Sequence, residues 1–129
     1  MKLKGRKISK GKASGSALVT SMGISLFGGV DPESSIVVEK GHELEGVPIA
    51  NRILIFPTGK GSTVGSYTLY RLKMAGKAPK AIINAECETI TAVGCIISEI
   101  PCIDQITIEE FSTGDWVEID ADHAIAIIS

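Results

Sequence analysis

Three observations in the middle of the chain predict an α/β fold. Residues 52–56 (Arg52-Ile53-Leu54-Ile55-Phe56) and 80–85 are short, nearly continuous apolar runs of the kind that form strands buried on both faces. Between them, residues 63–75 carry Val64, Tyr67, Leu69, Tyr70, Leu72, Met74 and Ala75, a broad apolar surface at helical spacing. That stretch runs out through Lys73, Gly76 and Lys77 into Pro79, as helices do. Strand, helix and strand in this order make a βαβ unit with a right-handed crossover onto a parallel neighbour.

A second helix is expected over 89–98, with Ile90, Val93, Ile96 and Ile97 turned inward, and Ile100-Pro101-Cys102-Ile103 begins a further strand. The flanks read differently. Short strands at 17–20, 35–39, 116–120 and 124–128, bounded by turn residues, suggest an added β layer or small barrel, the last two joined through the polar turn Ala121-Asp122-His123. Gly28-Gly29-Val30-Asp31-Pro32-Glu33 is a turn-rich loop too long for a hairpin, and a functional loop contacting substrate or subunit is expected there. No linker divides the 129 residues, so 1–129 reads as one domain, and 44% apolar composition supplies enough material for a core.

The formal charge of −2 hides an asymmetry. Lys2, Lys4, Arg6, Lys7, Lys10 and Lys12 crowd the start, whereas Glu109, Glu110, Asp115, Glu118, Asp120 and Asp122 crowd the end. Pairing of terminal strands accounts for this. A nucleic-acid arm does not, because the basic cluster has no interleaved aromatics and no base-reading surface follows. The basic start followed by residues 17–27 imitates a secretory signal, but Thr20, Ser21 and Ser25 dilute the run, no small-x-small cleavage site closes it, and no segment approaches the ~20 apolar residues of a membrane span. A soluble, cytoplasmic protein is expected. Cys87, Cys95 and Cys102 match neither zinc nor iron–sulfur ligand spacing and read as buried thiols; His42 and His123 lack ligand neighbours, so no metal site is expected on this chain.

The segment with chemical potential is Pro57-Thr58-Gly59-Lys60-Gly61-Ser62-Thr63-Val64-Gly65-Ser66, a glycine loop between a strand and a helix start. Gly59 and Gly61 permit positive φ and close approach, and the N–H groups of a helix beginning near Ser62 favour an anion. Lys60, Ser62 and Thr63 stand where a carboxylate, a phosphate or a developing negative charge would be held. The same residues also suit an ordinary capped turn. A Walker A loop is excluded because Gly61 intervenes between Lys60 and the hydroxyl of Ser62, and a nucleophile elbow is excluded by spacing.

Four motifs occur in order: Gly28-Gly29-Val30-Asp31-Pro32, Gly41-His42-Glu43-Leu44-Glu45-Gly46, Pro57-Thr58-Gly59-Lys60-Gly61-Ser62-Thr63 and Gly76-Lys77-Ala78-Pro79. Over essentially its whole length the chain resembles the small subunit of the aconitase X family, its archaeal branch above all. The resemblance implies a swivelling β/β/α domain like the mobile C-terminal domain of aconitases, acting on a 4Fe-4S cluster carried by a separate large subunit. It further implies a hydro-lyase that dehydrates (R)-5-phosphomevalonate to trans-anhydromevalonate 5-phosphate in the archaeal mevalonate route to isoprenoids. In aconitase-type sites the first serine of a Gly-Ser-Ser/Thr turn is the base, and Ser62 occupies that position. The arginine that aconitases place two residues later is Val64 here, so that contact does not carry over.

The chemistry agrees with the loop. Dehydrating a 3-hydroxy acid needs a base for the C2 proton, a Lewis acid for the leaving hydroxyl, and N–H-rich or positive surroundings for the carboxylate. Ser62 is expected as proton acceptor, with the Gly61 and Thr63 N–H groups and Lys60 assisting the charged substrate. The Lewis acid must come from a partner. Two other readings stay open: a related dehydratase acting on another hydroxy acid such as cis-3-hydroxy-L-proline, and a non-catalytic swivelling or docking module. For a phosphorylated substrate, Lys60, Lys73 and Lys77 are candidate contributors, although Lys73 and Lys77 also suit a helix C-terminus.

Overall fold

The computed structural model describes residues 1–61 and 64–129. An eight-stranded sheet runs in the order β1 (Lys2–Lys4), β10 (Ile125–Ile128), β9 (Trp116–Asp120), β3 (Lys12–Val19), β5 (Ile53–Phe56), β7 (Ala81–Asn84), β8 (Cys102–Asp104) and β2 (Arg6–Ser9). The central pairs β3/β5, β5/β7 and β7/β8 are parallel, as expected for the βαβ unit, while the outer pairs are antiparallel. A second, two-stranded parallel sheet joins β4 (Ile24–Ser25) to β6 (Gly59–Lys60). Helical segments accompany them: the single turn α1 (Leu26–Gly29), broken by non-helical backbone at Phe27 and Gly28, then α2 (Gly65–Met74) and α3 (Thr89–Ser98).

Strands β1 and β2 stand at opposite ends of the sheet order, yet only Gly5 separates them in the chain. One continuous N-terminal stretch therefore pairs with β10 through its first half and with β8 through its second, and the sheet must roll into a barrel to allow it. Gly5 sits at the pinch: its N–H donates to the Ala124 carbonyl at 2.8 Å, and a Cβ placed on it would lie 2.0 Å from the Asp104 carbonyl oxygen. The basic start now lies against acidic partners. Arg6 makes a two-pronged pair with the buried Asp104 at 2.9 and 2.7 Å, and Lys7 and Lys12 approach Asp122 and Asp120. The terminal-strand explanation of the charge asymmetry holds.

Alternation along the strands builds two cores. Ala17, Ile53, Ile55, Ile83, Ile103, Val117, Ile119 and Ala126 fill the barrel interior. Their neighbours Leu18, Leu54, Phe56, Ile82 and Cys102 face outward and meet α2, α3 and the excursion formed by residues 24–49. Because β5 and β7 contribute to both, all eight of their residues are buried, which is why they read as unbroken apolar runs. Each fully buried Ile, Leu or Phe among them stabilises the fold by about 1.5–3 kcal/mol. The layers are β/β/α, with barrel walls forming two and the helices the third.

The helix faces correct the sequence reading. α3 spans the expected residues and begins under the Glu88 carboxylate, which accepts from the Ile90 and Thr91 N–H groups. Its buried face, however, is Thr91, Gly94, Cys95 and Ser98; Val93, Ile96 and Ile97 point to solvent and Ile90 is half-buried. On α2 the inward residues are Gly65, Ser66, Thr68, Leu69 and Leu72, while Tyr67, Tyr70 and Met74 are exposed. Close approach of the helices is the reason: a Cβ on Gly94 would lie 2.8 Å from the Leu69 side chain and 3.2 Å from Ser66 Cα. Small residues must face inward at such a contact, so the large aliphatic side chains are left outside. The strand expected at 35–39 is also absent; Ile36 and Val37 make only isolated bridges to Pro48 and Val30. Residues 121–123 form a short 3-10 helix, with the Asp120 carboxylate accepting from His123 N–H.

Gly5→Ala tests the barrel closure. The added methyl group cannot coexist with the Asp104 carbonyl, so the melting temperature is expected to fall by at least ~10 °C in differential scanning calorimetry. A variant melting within about 2 °C of the parent would show that the pinch does not constrain the fold.

Candidate functional site

The glycine loop leaves the C-terminal ends of the central parallel strands, where α/β sheets gather their binding sites. Its described part, residues 57–61, is fastened from three directions. Beneath it, the Pro57 carbonyl accepts from both Ala85 and Glu86 N–H at 3.0 Å, and the buried Asn84 at the end of β7 donates through Nδ2 to the Phe56 carbonyl at 2.9 Å. Beside it, the Thr58 carbonyl accepts from Ile24 N–H at 3.3 Å, and Gly59 and Lys60 pair in parallel with Ile24 and Ser25. Behind it stands the start of α3. A Cβ on Gly59 would come within 2.4 Å of Thr91 Oγ1 and 2.6 Å of Glu88 Oε1, so only glycine lets the loop lie this close to the capped helix.

Gly61 takes φ +104°, a conformation the sequence reading allowed at both Gly59 and Gly61 and that Gly59 does not adopt, and a Cβ on Gly61 would also lie 2.6 Å from Ser25 Oγ. Lys60 is half-exposed, and its Nζ donates to Glu39 Oε2 at 2.9 Å. It is thus held in place by a carboxylate rather than projecting freely. Ser62 and Thr63, the expected base and its neighbour, lie outside the described residues. Lys73 and Lys77 do not join the loop. They lie at the opposite end of α2, about 15 Å along its axis, and donate to the Glu99 and Glu33 carbonyls at 3.4 and 3.0 Å.

The motif at residues 41–46 has a structural reason in this arrangement. His42 is buried; its Nδ1 accepts from Leu44 N–H and its Nε2 donates to the Gly23 carbonyl, both at 3.0 Å. Glu43 accepts from the Thr20 hydroxyl and, at 2.8 Å, from Ser21 N–H. These two side chains clamp residues 20–23, which run directly into β4 and so fix the strand that pairs with the loop. The Thr20 hydroxyl, then Ser21, and more weakly His42, hold the Glu43 carboxyl below its ordinary value.

Between α2 and residues 27–32 lies an open trench of about 430 Å³. Val64 and Phe27 stand at the end near the glycine loop and Arg71 and Asp31 at the other, with Val38 and Tyr67 between. The turn-rich segment 28–33 is therefore one wall of a cavity, held by Asp31, whose carboxylate accepts from Glu33 N–H at 3.0 Å and the Ser34 hydroxyl at 2.8 Å. Those bonds, the Glu33 one first, keep Asp31 below the usual carboxylate range, and Arg71 adds to the effect.

The three cysteines are free thiols. Cys95 and Cys102 are buried and Cys87 is half-buried. The bond to Cys102 and burial push the Cys87 thiol far up; Cys87 draws the Cys102 thiol down, but Cys95 and burial outweigh it and raise it overall. Among the described residues no group of three His, Cys, Asp or Glu side chains could hold a metal ion, and no helix is long and apolar enough to cross a membrane.

Residues 2–128 match the sequence profile of the aconitase X swivel domain. The chain belongs to that family. Among curated relatives, the phosphomevalonate dehydratase small subunit of Thermococcus kodakarensis is 54% identical over 122 residues, spanning 95% of this chain and 92% of the relative. The protein of the same name from Methanosarcina acetivorans is 52% identical over 123 residues, spanning 93% and 85%. The crystal structure of Thermococcus kodakaraensis aconitase X in its holo-form superposes with a TM-score of 0.98 at 51% identity, covering 100% of this chain and 98% of that one. A solution structure of a UPF0107 protein gives 0.91 at 47% identity, covering 100% and 99%. The swivel-domain fold expected from the sequence is the fold observed.

Sequence reasoning missed Asn84, Glu88, Glu39 and Arg71 around this site. Asn84 and Glu88 carried a signal, a polar residue ending an apolar strand and an acidic residue just before a helix. Glu39 and Arg71 act across long chain separations that no spacing reveals.

Two outcomes follow. Gly61→Ala is expected to lower kcat of the assembled enzyme at least ~100-fold in steady-state kinetics, because the residue must abandon its backbone conformation and meets Ser25. Glu43 is more acidic folded than unfolded, so its charge stabilises the native state above its ordinary value of 4.5, and that contribution disappears as pH falls through the lowered value. Glu43→Gln should therefore melt below the parent at neutral pH, with the gap closing on acidification in melts followed by circular dichroism. A gap independent of pH would show that Glu43 acts by shape alone.

Proposed function

We propose that this chain is the small subunit of a phosphomevalonate dehydratase, supplying the proton-accepting loop to a large subunit that carries the 4Fe-4S cluster. The observation that carries the reading is the left-handed Gly61 in a loop fastened on three sides, in a chain about half identical to subunits of that name over nearly their full length. The fastening of residues 57–61 matters for catalysis, since a serine works as a base only where its alkoxide is stabilised by fixed donors.

In this reading Ser62 takes the C2 proton of (R)-5-phosphomevalonate, and the N–H groups of Gly61 and Thr63 assist the carboxylate as its charge grows. Lys60, paired with Glu39, is the further candidate to assist the charged substrate there. Departure of the C3 hydroxyl, which completes the loss of water to trans-anhydromevalonate 5-phosphate, belongs to the partner, because Cys87, Cys95 and Cys102 lack cluster-type spacing. The exposed apolar residues on α2 and α3, Tyr67, Tyr70, Met74, Val93, Ile96 and Ile97, support docking to a separate chain. A cytoplasmic location is part of the proposal.

The test is an anaerobic assay of this chain combined with a cluster-loaded large subunit from the same source. Water loss from (R)-5-phosphomevalonate is expected only when both chains are present, and Ser62→Ala should lower kcat by ~10³-fold while the two chains still co-elute. Near-normal kcat in that variant would remove Ser62 from its role. Turnover of another hydroxy acid, such as cis-3-hydroxy-L-proline, in place of the phosphorylated one would reassign the substrate.

A further inference from the structure

The chain has three arginines, and two of them have structural partners. Arg6 is committed to Asp104, and Arg52 donates to the Ser16 and Ala17 carbonyls at 3.2 and 2.7 Å. Arg71 is exposed, lines the trench, and makes no hydrogen bond or ion pair with the described residues. The nearby lysines are occupied as well, Lys60 by Glu39 and Lys77 by the Glu33 carbonyl. A guanidinium with its donors free at the end of a cavity is a receptor for an oxyanion that can accept two parallel bonds.

The rest of the trench matches what such an anion would be attached to. Val64, Tyr67, Thr68 and Arg71 fall on one face of α2, at helical spacing. From Val64 to Arg71 is about 10 Å along the axis, and helical side chains lean toward the N-terminus, so the guanidinium reaches back over part of that span. In the substrate proposed above, five bonds separate C2 from phosphorus, roughly 6 Å when extended. Its middle is a methyl-bearing carbon and two methylenes, and the middle of the trench is apolar, walled by Val38 and Tyr67. Asp31 at the far end is tied to its own turn, its carboxylate accepting from Glu33 N–H and the Ser34 hydroxyl, and makes no ion pair with Arg71.

Resting on the functional reading above, we infer that this trench seats the hydrocarbon body of the substrate and that Arg71 grips its 5-phosphate. Arg71 is then the residue that makes the enzyme select a phosphorylated hydroxy acid. The carboxylate and C2 lie at the glycine-loop end. The small subunit thus contributes both the proton acceptor and the specificity contact, on one helix and the loop that precedes it.

The experiment compares parent, Arg71→Gln and Arg71→Lys in the assembled two-subunit enzyme. For Arg71→Gln, KM for (R)-5-phosphomevalonate should rise about 100-fold with kcat changed only a few-fold, since a lost charge-assisted contact to the non-reacting end of the substrate acts on binding. Competitive inhibition by inorganic phosphate should weaken in parallel, and Arg71→Lys should recover part of both effects. Unchanged KM in Arg71→Gln overturns the inference. Weakened assembly of the subunits, measured by titration calorimetry, with normal KM once assembled also overturns it, and assigns the trench to a segment of the large subunit. A parent enzyme that assembles but does not dehydrate the phosphorylated substrate is a separate result, which removes the functional reading and this assignment with it.

Discussion

Closure of the sheet by a single N-terminal stretch is the constraint on which the rest depends. Residues 2–9 pair with β10 and β8 in turn, and the change of partner happens at Gly5, where backbone meets backbone with no space for a side chain. Arg6, next in the chain, reaches the buried Asp104, and Asp104 also accepts from Cys87 N–H at 2.8 Å. The carboxylate that anchors the closing strand therefore also anchors the segment between β7 and α3, and that segment supplies the N–H groups holding the Pro57 carbonyl. Barrel closure and the floor of the candidate site share one hydrogen-bonded chain of residues.

Above that floor the fold uses distant segments to fix one short loop. Two residues of parallel pairing between β4 and β6 would be marginal alone, and the excursion 24–49 makes them dependable by burying Ile24, Leu26, Val37 and Leu44 against the sheet. His42 and Glu43 convert that burial into position by holding the stretch that leads into β4. The long irregular excursion is thus a support for the loop, and its glycines allow the turns that bring these side chains back toward Gly23.

Where local chemistry dictates local structure, the sequence was readable. The buried parallel strands declare themselves because both faces need apolar residues; the end of α2 follows from Gly76 with Pro79; the terminal pairing is visible in opposed charge. Misreading began where one element's environment depends on another. Val93, Ile96 and Ile97 form an apolar stripe, but Gly94 and Ser66 let α2 and α3 approach so closely that the opposite face is inward. Ile36 and Val37 have strand composition without a strand partner, and they are buried as loop residues bridged to Val30 and Pro48. For the site, Gly59 and Gly61 were legible as glycines with a backbone purpose, whereas Lys60's partner Glu39 and the position of Arg71 opposite Asp31 are products of tertiary structure.

The outward-facing stripe on α3 has a cellular consequence. An amphipathic helix normally spends its large aliphatic residues on its own core, and here Ile96 and Ile97 remain wet while glycine, cysteine, threonine and serine do the burying. A surface of this kind is tolerable only while something covers it, and an uncovered copy offers a nucleus for self-association. Synthesis of such a chain in excess over whatever covers that face would lower its solubility through the colloidal behaviour of one helix face.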